Sequence, residues 1–185
     1  MSCVSKLYIL FAFLTLAVLP ADGQNQSSDV LIAEFESSVK EYARERERLE
    51  RELPALPKQA TPEQVMAHKK ALTDAVLQHR NGAKQGEIFT PAVSQHLRTV
   101  IASQLEGPDR VKLRKAVFEA ENKAVQKRVN HPYPESQEIM EMPATLLAVL
   151  PQLPKQLRYR FVGRDLLLVD RENLLIIDYM TNAVP

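Results

Sequence analysis

The stretch from Arg158 to Asp178, RYRFVGRDLLLVDRENLLIID, limits the fold more than any other part of the chain. It alternates, pauses at Gly163, alternates again, pauses at Asn173 and alternates once more. A period of two belongs to β-strands, and glycine and asparagine supply the turns between them. The stretch therefore predicts a three-stranded antiparallel meander with tight turns at Gly163-Arg164 and at Asp170 to Asn173. In that register Phe161 lies opposite Leu166, Val169 opposite Leu174, and Asp165 opposite Asp178. One face carries Tyr159, Phe161, Leu166, Leu168, Leu175, Ile177 and Tyr179, and should press on the rest of the protein.

The opposite face mixes Arg158, Arg160, Asp165 and Asp178 with five aliphatic residues, Val162, Leu167, Val169, Leu174 and Ile176. Left bare, those aliphatics would make a large exposed patch, so they predict either a second covering layer or a partner surface. Asp165 and Asp178 form a candidate carboxylate pair, since two close acids can share a proton and divide acid from base duty. Arg160 and Arg164 offer the structural alternative of neutralising them.

Helical spacing dominates the chain before the ribbon. Ile32, Phe35, Val39, Tyr42, Leu49 and Leu53 follow one another at three- and four-residue steps, with Arg46 at the remaining seam position. This predicts a long helix over Ser28 to Glu52 with one apolar stripe. Its other faces carry KEYARERERLERE, which suits either a solvated helix docked on its own domain or a short coiled coil. Two prolines in LPALPKQ end it. TPEQ then opens a second helix, with Thr61 as cap, Pro62 in the first turn and Gln64 completing a capping box. Asn81-Gly82 stops that helix, and Thr90-Pro91 opens a third. A fourth is predicted through Val111, Leu113, Val117, Phe118 and Val125. A short helical piece before Pro151 precedes the ribbon. The fold class expected is α+β, with four or so N-terminal helices packed on a C-terminal three-stranded antiparallel meander.

Compartment is read from residues 1–23. Lys6, an apolar run from Leu7 to Pro20, and small residues at Ala21 and Gly23 make the three regions of a secretory signal peptide, with cleavage before Gln24. The run is about fourteen residues, short of the roughly twenty a spanning helix needs. The single cysteine, Cys3, falls inside this segment, so the mature chain is expected to use no disulfide, thiolate ligand or thiol nucleophile. Residues 24–60 then form a charged amphipathic helix with a proline-rich linker, and residues 61–185 a helical and β-meander domain. With 24 basic and 23 acidic residues, the net charge of +1 gives no reason to expect nucleic acid as a partner.

Sites of chemistry are sparse. His68 and His79 stand eleven residues apart, about 16 Å along a helix, too far for one metal. Glycine-rich phosphate loops and the GxSxG nucleophile elbow are absent. No catalytic residue, metal site or cofactor is assigned. The connector VNHPYPE, Val129 to Glu135, is the loop best suited to line a ligand site, through His131 and Tyr133.

The order TPEQ, QGEIFTP, RVNHPYPE, LPQLP, RYRFVGRDLLLVD and LLIID resembles a family of small exported bacterial proteins without assigned activity. The ribbon by itself is weakly similar to the strand–turn–strand of RcnB-type periplasmic nickel/cobalt homeostasis proteins. The first resemblance implies a bacterial envelope or secreted setting and transfers no site residue. Together these readings suggest a non-enzymatic module that binds another envelope protein, or itself through the charged helix. The alternative is a periplasmic metal- or small-ligand-binding protein.

Overall fold

A computed structural model of the chain describes residues 22–105, 125–134, 142 and 144–184, with side chains from residue 27 onward. The expected fourth helix therefore lies outside the described residues except for Val125, as does the segment read as a signal peptide up to residue 21. The fold is α+β. Among the described residues three helices, α1 (Asp22–Glu52), α2 (Pro62–His79) and α3 (Pro91–Gln104), precede a single turn α4 (Ala144–Leu147). A sheet in the order β1 (Leu157–Val162), β2 (Asp165–Asp170) and β3 (Ile176–Met180) follows, antiparallel throughout. No described helix is long and apolar enough to cross a membrane.

The helix starts follow the local chemistry. Thr61 Oγ1 accepts from the Gln64 amide at 3.3 Å, and the Gln64 side chain accepts from the Thr61 amide at 2.9 Å. Thr90 caps α3 through the Val93 amide, with Pro91 at the first helical position. Each such cap stabilises its helix by about 1 kcal/mol by satisfying an end amide. α2 stops where Gly82 takes a positive φ of 87°, a conformation that costs a residue without Cβ nothing.

α1 lays its stripe against the protein's own core. Phe35 and Val39 are fully buried and join Leu72 and Val76 of α2, Leu97 and Ile101 of α3, and the apolar sheet face in one cluster. Phe35 stacks on Phe89 at 5.5 Å and on Tyr159 at 6.4 Å between ring centres. Each side chain of that size buried this way stabilises the fold by about 1.5–3 kcal/mol. The 31-residue α1 is thus a layer of the core over its middle turns.

In the sheet, the β1–β2 hairpin has the predicted register, with Phe161 opposite Leu166 around Gly163. The β2–β3 pairing differs from expectation. Val169 pairs with Ile176 instead of Leu174, and Leu168 pairs with Asp178. Two causes add. First, the turn is two residues wider: Asp170 Oδ1 accepts the Glu172 and Asn173 amides, and the Leu174 amide reaches back to the Asp170 carbonyl at 3.0 Å. Leu174, just past Asn173, takes the left-handed conformation in this turn, with φ 53°. Second, a bulge opposite Leu168 and Val169 inserts one more residue into β3. A slip of two preserves faces, but the extra one exchanges them. Asp178 and Met180 consequently turn toward the helices, while Tyr179 packs on the opposite face.

The connector supplies a further strand-like edge. Asn130 and Tyr133 amides donate to the Ile176 and Leu174 carbonyls, and the Ile176 amide donates to the His131 carbonyl. The outer edge is thereby paired where β3 begins, at Leu174 to Ile176.

Candidate functional site

The ribbon's three aspartates are all buried, and each fastens a different part of the chain. Asp178, fully buried, accepts the Gly86, Ile88 and Phe89 amides, each at 2.8 Å, from the loop between α2 and α3. Charge-assisted bonds from backbone donors are among the stronger hydrogen bonds a fold makes. Asp170 closes its own turn with Oδ1, while Oδ2 accepts Tyr42 Oη at 2.7 Å and Arg46 Nε at 2.9 Å from α1. Asp165 accepts the Asn182 amide at 2.8 Å and the Lys127 ammonium.

The expected Asp165–Asp178 pair is therefore corrected. Asp178 lies opposite Leu168, and the bulge has moved its side chain to the helical face. Each acid is held by donors, and the two do not face one another across the strands.

The mixed face is interior. Val162, Leu167, Val169 and Ile176 form a second core cluster, and Leu167, Val169 and Ile176 are wholly inaccessible. Leu174 is buried at the turn. Among the described residues, Val125 and Tyr133 join that cluster, with Tyr179 packed against it. Tyr133 thus contributes its ring to a core, and His131 is half-buried, with its carbonyl on the Ile176 amide.

Sequence alone places Arg46 at a helix seam and Asp170 at a turn but does not join them, and the structure does. Arg46 is buried and holds three carboxylates: Asp170, Glu50 at 2.9 Å and Glu172. Burial works against its charge, but those carboxylates outweigh burial and raise its pKa further. The Tyr42 phenol is pushed well above its ordinary value, first by burial and then by the Asp170 charge, so it remains a donor. The available signal was an arginine at a seam position of an apolar stripe, a place where a long cation needs an acid from elsewhere in the fold.

Above this network a cleft of about 450 Å³ opens between α1 and the end of α2. Its lining includes Tyr42, Leu49, Val76 and Ile88, with Glu41, Glu45 and Glu87 among its acidic members. Arg80 closes one side. Its guanidinium lies 5.5 Å from the Tyr42 ring centre and donates to the Ile177 carbonyl at 2.8 Å and to Asn130 Oδ1 at 3.2 Å. Asn130 returns a bond from its amide to the Arg80 carbonyl at 2.8 Å. Arg48 engages Glu45 and lowers the pKa of that half-buried carboxyl. His79 Nε2 stands 3.9 Å from Glu45. Glu41 is exposed and has no hydrogen bond or ion pair among the described residues. Ser38, which also lines the cleft, donates its hydroxyl to the Glu34 carbonyl at 3.1 Å.

Among the described residues no three histidine, cysteine, aspartate or glutamate side chains converge to hold a metal. No family model, curated protein or solved structure matches the chain.

Proposed function

We propose that the chain is an exported envelope protein that works as a non-enzymatic protein-interaction module, engaging its partner through the charged side of α1 and the cleft beside it. One observation carries this reading. The ribbon's aspartates are buried and held by internal donors, whereas the α1–α2 cleft keeps Glu41 at the surface with no partner among the described residues. Polar groups tied down on all sides serve the fold; a polar group left open beside a concave surface serves recognition. The export half of the proposal rests on residues 1–23, whose charged, apolar and small-residue regions suit a cleaved leader.

Crosslinking capture from the native envelope, with the chain tagged at its C-terminus, tests both halves. The expected result is one dominant partner, lost in Glu41→Lys while the urea midpoint stays put. The recovered chain should begin at Gln24. Capture that is indifferent to Glu41→Lys would remove the cleft from the proposal, and absence of any dominant partner would remove the module itself.

A second reading, a periplasmic binder of a metal or small ligand, is favoured by the cleft volume, which falls in the range of small-ligand sites. A saturable rise in melting temperature with Ni²⁺, Co²⁺, Zn²⁺ or Cu⁺ would support its metal form by mass action. No shift across that panel would remove it.

A further inference from the structure

We propose that the α1–α2 cleft is a receptor for an alkylammonium group, the chemistry of a lysine side chain or a short diamine. The inference rests on the binding-module reading above and names what the module recognises.

Shape comes first. The cleft, about 450 Å³, includes the buried side chains of Tyr42, Val76 and Ile88 among its walls, with Leu49 beside them. An apolar wall of that kind favours a hydrocarbon arm over a compact, fully hydrated ion.

Charge comes second. Glu41, Glu45 and Glu87 line the cleft, and Glu50, Asp170 and Glu172 stand just behind it on Arg46. Against these six carboxylates stand four guanidinium groups, those of Arg46, Arg48 and Arg80 and that of Arg44, whose charge also acts on Glu45. The first three are already fixed. Arg46 is held by its three acids, Arg48 bridges Glu45 and Glu52, and Arg80 donates to the Ile177 carbonyl and Asn130. Of the rim acids, Glu45 is held by Arg48, while Glu41 and Glu87 are less occupied. Only Oε1 of Glu87 takes a bond, from the Lys84 amide, and Glu41 takes none among the described residues. An incoming anion would face this excess of acids, whereas a cation is drawn to it.

Field direction comes third and is independent of the acids. α2 ends at His79, and His79, Arg80 and Asn81 line the cleft. The last-turn carbonyls of a helix carry partial negative charge; those of Val76, Gln78 and Arg80 already accept backbone or Asn130 donors, so the helix end adds only a small pull on a cation. Ammonium suits the place better than guanidinium. Glu41 lies on α1 and Glu87 on the loop after α2, so the cleft has acceptors on two elements, and the three N–H donors of an ammonium rotate freely toward either. A planar fork would require one carboxylate presented edge-on.

The test is an NMR titration of the purified protein at neutral to mildly alkaline pH. The probes are 1,5-diaminopentane and an N-acetyl-lysine amide; pentane-1,5-diol and glutarate serve as neutral and anionic controls. Both amines should give saturable amide shifts at Ser38–Leu49 and Val76–Ala83, with dissociation constants of about 1 mM or tighter. The diol and glutarate should not saturate. Glu41→Gln with Glu87→Gln should weaken amine binding about tenfold, the loss expected for a charge-assisted contact of ordinary strength. The two amines separate the sources: tighter binding of the lysine amide indicates a protein side chain, tighter binding of the diamine a free polyamine. The proposal is overturned if neither amine saturates by about 10 mM, a very weak affinity. It is equally overturned if the diol binds as well as the amines, or if the double variant binds them unchanged. Should the amines fail while Glu41→Lys still abolishes partner capture, the module reading stands and only the ammonium inference falls.

Discussion

Asp178 and Glu41 carry the same functional group and do opposite work. Asp178 is inaccessible and accepts three loop amides at 2.8 Å, so its charge is a fastening inside the fold. Glu41 lies at the surface of α1, beside a cleft, with no partner among the described residues. The difference between the ribbon and the α1–α2 cleft is thus one of satisfaction, not of residue type. Carboxylates in the ribbon stabilise because their desolvation is offset by nearby donors; those at the cleft remain in water and retain their capacity to bind.

The comparison can be broken most forcefully on the sheet. Leu167→Asp together with Ile176→Asp places two unpartnered charges in the second core cluster, where both residues are fully buried. We expect loss of the folded state at 25 °C, visible as loss of near-ultraviolet circular dichroism, since an unpaired buried charge costs more than a domain's usual margin. Retention of a native spectrum would make that face a surface. Next in size is Asp178→Ala, which leaves three loop amides without their acceptor. It should lower stability by about 3–4 kcal/mol in urea unfolding, against less than about 1 kcal/mol if the bonds were incidental. Arg46→Met should cost about 3 kcal/mol, because Asp170 would stay buried with only Tyr42 and its own turn amides around it.

The phenols sharpen the contrast in pH. Tyr42 and Tyr159 both have folded pKa values raised above 10.0, chiefly by burial, with Asp170 and Glu36 respectively adding to the shift. A raised value for a group that is neutral when protonated means stability is fully present below 10.0 and declines as pH rises toward the folded value. The urea midpoint should therefore fall above a pH of about 10, and the slope should flatten in the Tyr42→Phe, Tyr159→Phe double variant. An equally steep fall in that variant would place the alkaline loss elsewhere. Smallest of all, Glu41→Gln should change stability by less than about 0.5 kcal/mol, as exposed substitutions do. A larger loss would mean that Glu41 belongs with the ribbon's fastenings and not with the cleft.

Much of the architecture was legible because it is local. Capping at Thr61 and Thr90, the stop at Gly82, the stripe through Phe35 and Val39 and the Gly163 hairpin all depend on residues within a few positions of each other. The candidate site was barely legible. Glu41 and Glu87 come from α1 and from the loop after α2, and nothing in either neighbourhood announces a shared cleft. Arg46 gave a partial clue by interrupting an apolar seam, yet its partner Asp170 lies 124 positions away.

By itself, then, the sequence determined the starts of α2 and α3, the stops of α1 and α2, and a three-stranded meander, whereas α1 begins at Asp22, ahead of the expected Ser28. Periodicity and capping are short-range and carry their own physical cause. Only the tertiary structure decided which carboxylate meets which donor. The Asp170 turn widened the hairpin by two residues and the bulge added a third, so Asp178 rotated from the mixed face toward the α2–α3 loop. Side-chain direction in a strand reverses at every residue, so one inserted position is enough to turn an apparent acid pair into two separate fastenings.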